Sequence, residues 1–277
     1  MAPGMQWNTL GGTAPGALTD ARVQLHWAAQ VLGACADRWI EARPDDSHTA
    51  MEWDGERAAL VGRPAASGAR LALRVPDLTL VASGELPLTG RTLADAMAWA
   101  DGQLAAAAGE APRGVAARDY DMPAHPVASG AALSADPAAL AELARWYADG
   151  DLVLRDLAGR EEGATPVLCW PHHFDIGAIL YLDRDRPTST ARQIGLGLSP
   201  GDHNYGEPYF YLTPWPIEVD VTFPPLPSGG RWHRTGFTGA VLLASDLLQG
   251  PPDGQLERVQ AWFAAALAVG RHLIGRG

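Results

Sequence analysis

The stretch TAMEWDGERAALV, residues 49–61, reads as two short strands around a turn. Thr49–Trp53 and Ala58–Val61 are strand-like, and Asp54 with Gly55 between them is turn chemistry. The punctuation continues downstream. Arg70–Val75 and Thr79–Ala82 are set off by the loop Pro64–Gly68 and by Pro76 with Asp77. This series of strands predicts an antiparallel meander.

Helices flank the meander. From Asp20 to Glu41, Val23, Trp27, Val31, Ala34 and Cys35 share one face, and Leu25, Ala28 and Leu32 widen it. So broad an apolar arc predicts a buried helix. A second helix is predicted from Thr92 to about Ala108, with Thr92 and Asp95 spaced as a capping box. Gly109–Leu133 is rich in Gly, Pro and Ala and has no period, so it reads as a linker or long loop.

A new unit then begins. Asp136 followed by Pro137 is a strong helix start, and Leu140, Leu143, Ala144 and Tyr147 continue it to an expected end at Gly150. Strands are expected at Pro166–Leu182, Gln193–Leu198, Pro208–Thr213 and Glu218–Phe223, while Gly239–Leu248 suits either strand or helix. A last helix runs from Leu256 to Ile274, with Val259, Trp262, Phe263, Ala266 and Leu267 inward. Each half thus reads helix, strands, helix. The expected fold class is α+β. It comprises two related units with mostly antiparallel sheets that can join into one core, residues 18–108 and 134–277 around a 109–133 linker.

Composition narrows the function. The chain has 277 residues, 47% of them apolar, and a net charge of −11. Such acidity repels phosphate backbones, so no nucleic-acid partner is expected. Every cation is an arginine, which excludes a Schiff-base or P-loop lysine. Residues 1–16 do not resemble a signal peptide, and the apolar run Val259–Gly270 is too short to span a bilayer. With Cys35 and Cys169 as its two cysteines, the chain reads as a cytoplasmic protein with reduced thiols and no membrane partner. Its oligomeric state is open.

Chemistry concentrates between Cys169 and Pro216. In CWPHHFD, residues 169–175, strand alternation would put His173 and Asp175 on one face and His172 and Phe174 on the other. The polar turn SPGDHNYGEP, residues 199–208, adds Asp202, His203 and Glu207. His173, Asp175, His203 and Glu207 are therefore expected to meet in one concave pocket. There they would suit a divalent metal such as zinc, iron or manganese, with His172 as an alternative ligand. Trp170, Tyr209, Tyr211 and Trp215 would wall that pocket and contact a small molecule. A protein so built is a candidate metal-dependent enzyme acting on a small molecule. The alternative is a non-catalytic small-ligand-binding or accessory protein in which the same residues hold a hydrogen-bonded corner.

Two sharper patterns are weaker. His173-x-Asp175 with His233 has the order of an iron facial triad, but no arginine lies between Gly236 and Leu256. Gly197-x-Ser199-x-Gly201 matches the letters of a nucleophile elbow, yet Pro200 and a polar turn follow where a helix should start.

The residues Leu25, His26, Gln30, Val31, Leu32 and Gly33 resemble the opening helix of a largely actinobacterial family known only as a domain of unknown function. The resemblance extends to Phe174-Asp175-Ile176, to Pro200-Gly201 and to the strand Tyr209 to Pro216. It departs at Ala28, where the family has a tryptophan; here Trp27 stands one place earlier. It implies an α+β fold with mixed sheets and no particular activity.

Overall fold

The structure, a computed structural model, describes residues 6–183, 185–217 and 222–275. Contacts divide them into an N-terminal unit, residues 16–144 with 168–175, and a C-terminal unit, residues 6–15, 145–167 and 176–275.

The N-terminal unit contains α1 (Thr19–Trp39), the strands β1 (Glu52–Asp54), β2 (Ala59–Val61), β3 (Ala72–Arg74), β4 (Thr79–Val81) and β5 (Glu85–Pro87), and α2 (Leu93–Ala108). The strands form an antiparallel meander in sequence order. Its register places Trp53, Leu60, Leu73, Leu80 and Leu86 in one row, all buried. β5 was not expected, because Glu85–Pro87 is short and mostly exposed. α1 packs against α2 and β3, as its broad apolar arc requires. The capping box of α2 is formed: Thr92 Oγ1 accepts from the Asp95 amide, and the Asp95 carboxylate accepts from the Thr92 amide.

The irregular segment 109–133 belongs to this unit. Asp101 on α2 accepts from the amides of Arg113 and Gly114 and from the Trp39 indole. Arg118 grips Asp37 with two nitrogens, and Trp27 donates to the Pro123 carbonyl. Leu133 pairs with Thr89.

α3 (Pro137–Ala158) begins where expected but runs through Gly150. A helix interior disfavours glycine by about 1 kcal/mol, so the reason is packing. A Cβ at Gly150 would lie 2.6 Å from Leu198 Cδ2 and 3.1 Å from Leu198 Cβ. Gly150→Ala is therefore expected to destabilise the protein by about 1–3 kcal/mol, as overpacking does. At an open helical position the same change would stabilise it. Urea denaturation of both proteins tests the sign.

The C-terminal unit carries β7 (Ile176–Tyr181), β8 (Gln193–Ser199), β9 (Tyr209–Trp215), β10 (Arg231–His233), β11 (Gly239–Leu243), α4 (Ala244–Leu247) and α5 (Gln255–Ile274), while β6 (Leu168–Cys169) falls in the other unit. The strands of the C-terminal unit stand in the order β10-β11-β9-β8-β7, all antiparallel. Residues 239–248 are thus strand first and helix second. Much of the strand expected at Glu218–Phe223 lies outside the described residues. Phe210 on β9 meets Trp146 of α3 at 6.2 Å and Phe263 of α5 at 5.7 Å, so one sheet face is the core face. Tyr209 and Tyr211 point the other way by alternation.

The α+β class holds, with two antiparallel sheets. The expected kinship of the halves is not seen in the strand orders, since one sheet is a sequential meander and the other inserts β11 between β9 and β10. No helix among the described residues is long and apolar enough to cross a membrane.

Candidate functional site

The first candidate region is the turn at residues 170–175 of the N-terminal unit. It corrects the expected strand Pro166–Leu182, which breaks after β6 and resumes at β7. The Phe174 amide donates to the Trp170 carbonyl at 2.7 Å, closing a tight turn, and Phe174 adopts φ +58°. Strand alternation therefore does not set the directions of His172, His173 and Asp175. Phe174 is 1% exposed and stacks on His26 of α1, with centroids 4.8 Å apart and planes 7° apart. His26 Nε2 and Gln30 Nε2 both bond the Pro171 carbonyl, at 2.8 and 2.6 Å. A carbonyl only accepts, so His26 carries its proton on Nε2. Burial holds its pKa down to about 4, helped by the charges of Arg22, His173 and His172.

His172 is half-buried, its ring 4.3 Å from that of His173, 5.7 Å from Tyr120 and 6.0 Å from Trp170. Burial, and next the neighbouring His173, lower its pKa. His173 itself is exposed.

The second region lies on the C-terminal sheet. Gly177, Gly197 and Tyr211 share one cross-strand row with Val241. The Tyr211 ring lies back over the glycines: a Cβ at Gly197 would fall 2.4 Å from its hydroxyl, and one at Gly177 2.7 Å from it. Asp202 opens the following turn by accepting from the amides of Asn204 and Tyr205, at 2.8 and 3.0 Å. Its other oxygen takes the Tyr209 hydroxyl at 2.8 Å. Burial pushes the Asp202 pKa up, but these bonds outweigh it and the carboxylate stays ionised more readily than usual.

The turn delivers Tyr205 to His233. The Tyr205 hydroxyl lies 2.7 Å from His233 Nδ1, while Nε2 of the same ring faces the Thr235 carbonyl. Nε2 must carry the proton, so Nδ1 accepts from the phenol. His233 also stacks on Phe237, with centroids 4.1 Å apart. Tyr205, Tyr211 and Phe237 pack, partly buried, on Tyr209, Val241 and Leu243. Burial raises the Tyr205 pKa, so its hydroxyl keeps its proton.

The expected metal set is not gathered in either unit. His173 and Asp175 belong to the N-terminal unit, His203 and Glu207 to the C-terminal one. His203 is exposed, and Glu207 accepts from the amide and hydroxyl of Ser245. Among the described residues no group of three or more His, Cys, Asp or Glu side chains is placed to hold a metal ion. Trp170 keeps company with His172, whereas Trp215 is 45% exposed. Ser199 is buried, with its Oγ bonded to the Gly201 amide and no helix following, which is not an elbow. Both cysteines are buried and form no disulfide, and burial pushes the Cys35 thiol up to about 12.

Tyr209 and Tyr211 are brought together, with Tyr205 and Phe237 as additions that sequence reasoning did not name. The available signal was Asp202, whose turn-forming side chain fixes the residue three places on. The chain matches no protein-family model, no curated protein and no solved structure. The resemblance carried by Leu25–Gly33, Phe174–Ile176, Pro200-Gly201 and Tyr209–Pro216 therefore rests on the sequence alone.

Proposed function

We propose that the protein is a non-catalytic, small-ligand-binding protein of the cytoplasm whose site is the Tyr205–Tyr209–Tyr211 face of the C-terminal sheet. The observation that carries this reading is the pairing of Tyr209 with Asp202 and of Tyr205 with His233. The Tyr205 and Tyr209 hydroxyls are each oriented by a fixed partner, while the rings of Tyr205 and Tyr211 keep accessible surface. Rigid amphipathic rings with a few oriented polar atoms suit ligand contact. His233 commits both ring nitrogens, which argues for positioning over proton transfer. The net charge of −11 favours a small molecule over a nucleic acid as ligand.

A fragment screen by ligand-observed NMR tests the reading. Hits are expected to bind the wild type and to weaken about tenfold in Tyr205→Leu, the worth of one good ring contact. Hits that bind the variant unchanged, or no hits at all, would overturn it.

A further inference from the structure

A phenol hydrogen-bonded to an imidazole has redox chemistry as well as a structural role. The Tyr205 hydroxyl lies 2.7 Å from His233 Nδ1, within the reach that direct proton transfer needs. In the resting pair the proton stays on the phenol, because burial raises its pKa, and His233 only positions the ring. Loss of one electron reverses that balance, since a phenol radical cation is a far stronger acid than an imidazolium.

The surroundings suit the product. Nε2 of His233 would still donate to the Thr235 carbonyl, so both N–H groups of an imidazolium have acceptors. The ring is held by its stack on Phe237, with centroids 4.1 Å and planes 19° apart. Asp202, which acts on Tyr205 through its charge, favours the new positive charge, and the opposing Arg231 is engaged by Asp246. Tyr209 stands 5.1 Å from Tyr205, close enough to share the electron vacancy. Its proton acceptor is the Asp202 carboxylate, which despite burial is held by its hydrogen bonds below the usual carboxylate range. Such a carboxylate is a weaker base than an imidazole, so the vacancy settles on Tyr205. Tyr205 is also partly exposed, within reach of an oxidant in solution.

We propose that Tyr205 and His233 form a one-electron oxidation site, which reduces a diffusible oxidising radical or high-potential metal complex. The electron passes to the oxidant, the Tyr205 O–H bond breaks, and an N–H bond forms at His233 Nδ1. The products are a neutral tyrosyl radical, an imidazolium and the oxidant reduced by one electron. A one-electron reductant such as ascorbate returns the electron, and the proton goes back to the phenol. Neither residue needs a ligand on the face for this chemistry.

Photogenerated tris(bipyridine)ruthenium(III), a cation drawn to a chain of net charge −11, is the oxidant for the test on the full chain. Freeze-quenched EPR is expected to show a neutral tyrosyl radical that is largely lost in Tyr205→Phe. Time-resolved absorption is expected to show radical formation slowed about a hundredfold in His233→Gln, which keeps a hydrogen-bond acceptor but no base. Wild-type oxidation is expected to slow in deuterium oxide, because the proton moves with the electron. A radical unchanged by Tyr205→Phe, or one carried on tryptophan, would overturn the proposal. So would a rate unaltered in His233→Gln, or wild-type oxidation indifferent to deuterium oxide. The identity of the radical as tyrosyl and the isotope comparison need only wild-type protein, so a variant that fails to fold does not protect the proposal.

Discussion

Phe174→Ala is expected to lower stability by about 4 kcal/mol, and Phe174→Gly by about 1 kcal/mol less. The first figure follows from burial. The ring is 1% exposed and stacked on His26, and truncating a buried phenylalanine costs roughly 3–5 kcal/mol. The second follows from the backbone. Phe174 sits at φ +58°, where an L side chain is strained and glycine is not. Alanine would keep the strain and lose the ring, whereas glycine would lose both. In most sites glycine is the worse replacement, so the reversed order is diagnostic. Urea denaturation of the three proteins checks it. Glycine below alanine in stability would mean that the turn at residues 170–174 is not held as described.

That turn also marks where sequence reading stops. The helices were legible because their signals are local: Thr92 and Asp95 form the capping box, and Asp136 with Pro137 starts α3. Gly150 misled because glycine is disfavoured in helices, while its reason for being there is Leu198, far along the chain. CWPHHFD lies within the apolar stretch expected as a strand from Pro166 to Leu182, and nothing in a phenylalanine announces a left-handed residue. What fixes it is tertiary: the Pro171 carbonyl bonded by His26 and Gln30, and Phe174 against the His26 ring.

The candidate site divides in the same way. Tyr209 and Tyr211 share a face because strands alternate, which the sequence alone implies. Tyr205 meets His233 across 28 positions, through a strand order with β11 between β9 and β10. The histidine–carboxylate set depended on His173 and Asp175 sharing a strand face, and that premise fell with the strand.

Acidification from pH 7 to pH 4 is expected to remove about 3 kcal/mol of stability through His26, and His26→Gln is expected to remove most of that dependence. His26 is 5% exposed, and its pKa in the folded chain falls from the ordinary 6.5 to about 4. Below pH 6.5 the unfolded chain takes up a proton that the folded chain refuses. Stability contributed by the neutral ring is therefore complete above pH 6.5 and is lost as pH falls toward 4. Every tenfold loss of proton affinity on folding is worth about 1.4 kcal/mol, which sets the size of the effect. His172, also lowered by burial, works in the same direction and leaves a smaller residual slope. Glutamine at position 26 retains a donor for the Pro171 carbonyl but cannot titrate. Its loss of the Phe174 stack lowers stability at pH 7 by about 1 kcal/mol, without steepening the acid limb. Urea denaturation at pH 7, 5.5 and 4.5 separates the two contributions. Equal slopes for wild type and variant across that range would show that His26 is not the group refusing the proton.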